Sequence, residues 1–233
     1  MLEIDAKIKE VIQRTYNVKS FRLDIAGEPV FEAGQFCCVR LLTEKECKRY
    51  LSISSSPTEK GYLEFTKKIT ESDFSKILQT LGPGDKLKLR YPFGKFTLAP
   101  ADTKIAFLSG GIGITPIRSI AKYVVDKKLD KDIILLYANH TVKDIVFKEE
   151  FDLLQRECPK LKVRHVLSEA APGFDYVLGR INAQAIKNEI ADYPQRRFYL
   201  CGPPAMVEAM ENILRGELAL PAESIVRENF QGY

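Results

Sequence analysis

Ile105-Ala106-Phe107-Leu108-Ser109-Gly110-Gly111-Ile112-Gly113-Ile114-Thr115-Pro116 is the stretch that decides the fold of this 233-residue chain. The apolar run Ile105–Leu108 reads as a buried strand, and Thr115–Lys127 carries apolar residues at helical spacing. Between them, glycines permit positive φ and a close backbone approach. Pro116 suits the first turn of a helix, where its missing N–H costs nothing. N–H groups left open at such a helix start attract phosphate. The spacing departs from G-x-G-x-x-G, because Pro116 stands where a third glycine would fall. Taken alone, the stretch can also be read, less strongly, as a tight strand-to-helix turn that binds nothing.

The same rhythm continues toward the C-terminus. Strands are expected at Ile133–Ala138, Lys162–Leu167, Phe198–Cys201 and Ser224–Arg227. Helices are expected at Phe147–Cys158, at Asn182–Ala191 behind an Asn cap, and at Pro204–Arg215. Such alternation predicts a parallel sheet with helices on both faces. Toward the N-terminus the pattern is different. Short β-rich segments are expected at Glu3–Gln13, Ser20–Ile25, Gln35–Leu41, Arg49–Ile53, Tyr62–Lys68 and Lys86–Tyr91, with one short helix at Asp73–Thr80. Turn residues such as Gly27-Glu28-Pro29 and Gly82-Pro83-Gly84-Asp85 separate them. Closely spaced strands of this kind predict an antiparallel barrel. The expectation is therefore two domains: an antiparallel β-barrel over residues 1–100, then an α/β parallel-sheet nucleotide-binding domain over 101–233. The linker is read at Leu98–Asp102.

Composition narrows the function classes. A hydrophobic fraction of 45% supports an ordinary core. No apolar run is long enough for a transmembrane helix. The net charge of +4, with no dense basic run, is too mild to argue for nucleic acid as a partner. Cysteines at 37, 38, 47, 158 and 201 form neither a disulfide framework nor an iron–sulfur or zinc pattern, and His140 and His165 are the only histidines. The N-terminal residues lack the apolar run of a secretory signal, so a cytoplasmic protein is expected.

Two further segments bear on chemistry. In Tyr199-Leu200-Cys201-Gly202-Pro203-Pro204-Ala205-Met206 a strand again ends in glycine, and prolines open a helix. Ligands of open parallel sheets bind at the carboxyl ends of strands, where Cys201 falls; a buried structural cysteine is the alternative. In Arg49-Tyr50-Leu51-Ser52-Ile53-Ser54-Ser55-Ser56-Pro57 an arginine able to clamp a pyrophosphate precedes a hydroxyl able to donate to a ring nitrogen.

In this order and spacing, the segments resemble the ferredoxin–NADP reductase superfamily. The resemblance runs from Ala33-Gly34-Gln35-Phe36, through Arg49–Ser52 and Tyr91-Pro92-Phe93-Gly94-Lys95-Phe96, to the two glycine turns and Glu228-Asn229-Phe230. It implies an enzyme that moves hydride from NADH or NADPH to a bound FAD. It implies flavin contacts from Arg49, Tyr50, Leu51, Ser52, Ile53, Ser54, Thr66, Lys67 and Ser75, with Arg49 at the pyrophosphate, Ser52 near N5 and Phe230 stacked on the ring. It implies a dinucleotide cradle from Gly110, Gly111, Gly113, Thr115, Pro116, Asn139, His140, Cys201, Gly202, Pro203 and Pro204. Cys201 would face the nicotinamide, and Ser52, Cys201 and Glu228 would form the catalytic set. Three positions depart from the pattern: Leu51 where an aromatic usually meets the flavin, Ser72 for a glycine of the phosphate turn, and Tyr91 for the glycine before Pro92.

The segment after the second strand of the nucleotide domain, Tyr137-Ala138-Asn139-His140-Thr141-Val142-Lys143-Asp144-Ile145, contains no arginine. Since a planar, permanently charged guanidinium reads a 2′-phosphate best, NADH is favoured, with NADPH open through His140 or Lys143. Electrons would go to a separate protein: a ferredoxin, a cytochrome or an oxygenase component. The alternatives are a reductase of free flavin and a non-catalytic nucleotide-binding module. Elsewhere, Cys37 and Cys38 are expected to pack in the barrel and Cys158 to end a helix. His165 is read as a satisfied core histidine, and Asp102-Thr103-Lys104 as solvated surface.

Overall fold

The computed structural model describes residues 2–229, which fall into two compact units. The first joins the chain up to Leu98 with Thr115–Lys127; the second joins Ala99–Ile114 with the residues from Lys128 onward.

The first unit is built on six antiparallel strands: β1 (Leu2–Thr15), β2 (Val18–Asp24), β3 (Phe36–Leu41), β4 (Cys47–Ser52), β5 (Leu63–Lys68) and β6 (Lys86–Phe93). Their order is β4-β3-β6-β1-β2-β5, and a single bridge from Ile53 to Phe65 joins the chain beyond β4 to β5. Period-2 alternation turns one row inward on every strand. Cys37, Val39, Leu41, Leu87, Leu89 and Phe21 form that core, with Phe21 and Phe65 stacked at 5.2 Å. The short helix α1 (Asp73–Leu78) adds Phe74 and Leu78 to it and is capped by Ser72, whose side chain accepts from Ser75 N. Helix α2 (Ile114–Asp126) packs in the same unit.

The second unit is a parallel sheet of β7 (Lys104–Gly110), β8 (Asp132–Asn139), β9 (Leu161–Leu167), β10 (Val177–Leu178), β11 (Arg197–Gly202) and β12 (Ile225–Asn229), in the order β10-β9-β8-β7-β11-β12. Ala106, Leu108, Ile134, Leu136, Phe198 and Leu200 pack against Ile186 and Ile190 of α4 (Ala183–Glu189) with its flanking turn and against Val207 and Met210 of α5 (Pro204–Asn212). The alternate row of Ile105, Phe107, Ile133, Leu135 and Tyr199 is equally buried. Helix α3 (Lys148–Glu157) follows β8, and its Gln155 side chain accepts from the Val163 amide of β9 at 2.8 Å. Asn182 caps α4 as expected, accepting from Ala185 N. Because β7 has β8 on one side and β11 on the other, the strand order reverses at β7. In open parallel sheets, ligands bind beyond the carboxyl ends of the strands at such a switch point.

Three expectations need correction. His165 is buried beside the rings of Tyr137 and Phe174, but its Nδ1 has no hydrogen-bond partner among the described residues, so it is not satisfied. Burial pushes its pKa down to about 4 and keeps it neutral. Asp102 is not simply solvated: it accepts from the Tyr199 hydroxyl at 2.6 Å and so ties the start of the second unit to β11. The helix expected to run to Arg215 ends at Asn212, and a π turn over Ile213–Glu217 follows.

Candidate functional site

In the first unit, β4 sorts its residues by face. Arg49 and Leu51 lie opposite Val39 and Cys37, on the inward side, whereas Tyr50 and Ser52 lie opposite Cys38 and Phe36. Leu51 accordingly packs against the barrel core. Tyr50 is half-exposed and meets Phe36 and Phe93 edge-on at 5.9 and 5.8 Å. The aromatic ring missing at 51 is thus present one residue earlier, on the opposite face.

Arg49 lies over the Phe74 ring of α1 at 5.7 Å. Lys67, buried on β5, donates to the Lys68 carbonyl at 2.7 Å. Burial and then the charge of Arg49 push the Lys67 ammonium down to about 8. Two cations held close in a shielded place are what an anion would relieve. At the start of α1, the hydroxyls of Thr70, Ser72 and Ser75 lie 3.1 Å from one another. Ser72, in the place of a glycine, thereby adds a hydroxyl to this turn. These residues fit a diphosphate-bearing flavin such as FAD.

Ser54 and Thr66 point their hydroxyls elsewhere. They are 2.8 Å apart, Thr66 is 2.7 Å from Ser20, and Ser54 donates to Glu64 at 2.9 Å. Glu64 is fully buried and takes ion pairs from Arg14 at 3.2 Å and Arg22 at 3.1 Å. The side chains of Ser54 and Thr66 therefore serve this internal network, and the Ser54 amide donates to the Glu64 carbonyl at 2.8 Å. Sequence reasoning missed Glu64. Its only signal is an acid inside the strand Leu63-Glu64-Phe65-Thr66, read against the register that sets it opposite Arg22.

In the second unit, the switch point is lined by backbone. A Cβ on Gly113 would fall 2.4 Å from the Cys201 carbonyl oxygen, and one on Gly110 would fall 2.2 Å from Met206 Sδ. These glycines let the two turns close on each other. The Tyr137 hydroxyl fixes the turn by donating to Gly111 O at 3.0 Å. The Ser109 hydroxyl, fully buried, has no partner among the described residues. No side chain caps the 3₁₀ turn at Gly111–Gly113 or α5 behind Pro203 and Pro204, so both turns present backbone at their leading ends. Thr115 and Pro116 open α2, with Thr115 buried. An orphan buried hydroxyl and a backbone cradle that a Cβ would fill fit a dinucleotide.

Cys201 and Glu228 are register partners on β11 and β12. Cys201 is fully buried; burial, then the charge of Glu228, raises its thiol well above the ordinary range. Burial raises Glu228 to about 7. The pair is a neutral thiol beside a carboxyl that titrates near neutrality. Phe230 lies outside the described residues.

At the end of β8, Asn139 is followed by exposed His140, whose Nδ1 lies 2.6 Å from Ser168 Oγ and whose Nε2 lies 2.9 Å from Glu169 Oε1. The Glu169 amide also donates to the His140 carbonyl at 3.1 Å. His140 is therefore coupled to a carboxylate, and Glu169 is a candidate absent from the sequence reading. Thr141 and Asp144 form a capping box, which accounts structurally for the Thr-x-x-Asp of this segment.

A barrel offering paired cations to a diphosphate, and a parallel sheet with a glycine cradle at its switch point, define an FAD- and nicotinamide-dinucleotide-binding oxidoreductase. Residues 5–98 match the oxidoreductase FAD-binding domain, and residues 107–212 match the oxidoreductase NAD-binding domain. The chain belongs to the ferredoxin–NADP reductase family. It is 32% identical over 215 residues to NADH-cytochrome b5 reductase 1 of Dictyostelium discoideum, covering 88% of this chain and 74% of that protein. It is 30% identical over 220 residues to the glycine betaine monooxygenase reductase subunit of Pseudomonas aeruginosa, covering 89% and 59%. The chain spans less than two thirds of the length of several such relatives. The cytochrome b5 reductase domain of Ulva prolifera nitrate reductase shares the fold, with a TM-score of 0.87 at 23% identity, covering 97% of both chains. Among the described residues no helix is long and apolar enough to cross a membrane.

Proposed function

We propose that this chain oxidises NADH, stores the electrons on FAD and delivers them to a separate redox protein. The observation that carries the reading is the Cys201–Glu228 pair beside the glycine cradle at the switch point. FAD, when bound, supplies the two-electron acceptor and the means to release electrons one at a time. Arg49 and Lys67 hold its diphosphate. Ser52 donates a hydrogen bond to the ring edge. Gly110–Gly113 and the start of α2 bind the dinucleotide phosphates, and Cys201 orients the nicotinamide. Glu228, ionised above about pH 7, balances the positive charge that the nicotinamide acquires. The matched residues support a division into flavin and dinucleotide parts near residue 100.

Glu169 supports NADH over NADPH. A carboxylate at the strand ends accepts bonds from ribose hydroxyls and repels a 2′-phosphate, and the segment His140–Ile145 directly after β8 contains no arginine to offset it. The relatives named for a cytochrome and for a monooxygenase support a protein acceptor of either kind. Five free cysteines support a reducing, cytoplasmic setting. The test is a pair of variants. Arg49→Ala should lose flavin on gel filtration. Cys201→Ala should retain flavin and reduce it more slowly in stopped flow. An Arg49→Ala protein that keeps its FAD, or a Cys201→Ala protein with unchanged reduction, counts against these assignments.

A further inference from the structure

Arg118 and Ser119 lie one turn into α2, three and four residues after Thr115. Both are buried. Arg118 Nη1 donates to the Ser54 carbonyl at 2.9 Å and to Glu59, and its Nη2 donates to Glu59 Oε1 at 2.9 Å. Ser119 Oγ donates to the Ser55 carbonyl at 2.7 Å. Glu59 is fixed in turn, accepting from the Ser56 amide at 2.7 Å and the Tyr62 hydroxyl at 2.8 Å. Ser54 is thus held twice: its carbonyl by α2, its hydroxyl by Glu64 of β5.

This clamp acts on the segment that continues from Ser52, two residues before Ser54. Its other end is equally specific. α2 packs in the same unit as Ser52–Glu59, and its start is the direct chain continuation of the glycine turn in the other unit. A buried ion pair adds little net stability compared with apolar residues of the same shape. A bidentate guanidinium with a third bond does fix an orientation. We propose that Arg118, supported by Ser119, is a positioning residue that transmits dinucleotide binding at the start of α2 to the Ser52–Ser56 segment. The inference rests on the functional reading above.

The test uses the full chain with NAD⁺ as probe. Hydrogen exchange of the apoprotein should show NAD⁺ slowing the Ser52–Ser56 amides about tenfold or more. In Arg118→Met/Glu59→Gln, which leaves no unpaired buried charge, that protection should vanish while the Kd for NAD⁺ stays within about threefold. With FAD loaded, the double variant should keep KM and lose about a hundredfold in flavin reduction at saturating NADH, the scale of a 1 Å misplacement. Arg118→Lys should recover part of the rate. Retained protection, or reduction within about threefold of wild type, overturns the proposal. So does loss of FAD from the double variant, which would make the clamp a brace for the fold. Wild-type protein that binds neither NAD⁺ nor FAD would remove the functional reading and this inference together.

Discussion

FAD affinity should fall steeply as pH rises above 8. The perturbed group is Lys67, whose pKa stands at about 8 against an ordinary 10.5 because it is buried beside Arg49. At 1.36 kcal/mol per pH unit, that difference represents about 3 kcal/mol held against the charged form. A bound diphosphate favours the charged form and returns the pKa toward its ordinary value, so binding takes up a proton between pH 8 and about 10. The affinity should be flat from pH 7 to 8 and then lose about tenfold per pH unit, reaching about thirtyfold at pH 9.5. The apoprotein should behave in the opposite sense. Lys67 is protonated in the unfolded chain and neutral in the fold between pH 8 and 10.5, so its contribution to stability rises with pH across that window. The assay is a titration of apoprotein with FAD, read by flavin fluorescence at half-unit pH steps. Lys67→Met provides the control. An affinity constant from pH 8 to 9.5, or a slope that survives in Lys67→Met, refutes the reasoning.

Three other outcomes follow from the second unit. Glu169→Arg should shift the ratio of kcat/KM for NADPH over NADH by at least about tenfold, or about 1.4 kcal/mol, in steady-state assays. The rate of flavin reduction should rise with pH through an inflection near 7 as Glu228 ionises, and Glu228→Gln should flatten that profile in stopped flow. Gly113→Ala sets a Cβ 2.4 Å from the Cys201 carbonyl; it should destabilise the protein by about 1–3 kcal/mol in thermal melts and weaken NADH binding while FAD remains bound.

Much of the fold is legible because periodicity and punctuation agree. The glycine turn lies between an apolar strand and an amphipathic helix, and the structure places β7, the turn and α2 there. Asn182 caps α4 because its side chain can accept from an amide three residues on. Length limits what can be read: β10 is two residues, too short to show a period. Register limits it further. Glu64, Arg22 and Ser54 form one network only because β5 pairs with β2 in one particular alignment, which local sequence does not encode. The same holds for Leu51 and Tyr50, whose faces follow from the pairing of β4 with β3. Glu169 escaped because it lies 29 residues beyond His140 and meets it only where two parallel strands end side by side.

Anaerobic titration of the FAD-loaded protein with NADH puts the whole reading at stake in one cuvette. The flavin absorbance should bleach with one equivalent of NADH per FAD, and return on adding an oxidised cytochrome or oxygenase component. Flavin that stays yellow through a tenfold excess of NADH, and of NADPH after it, contradicts the account.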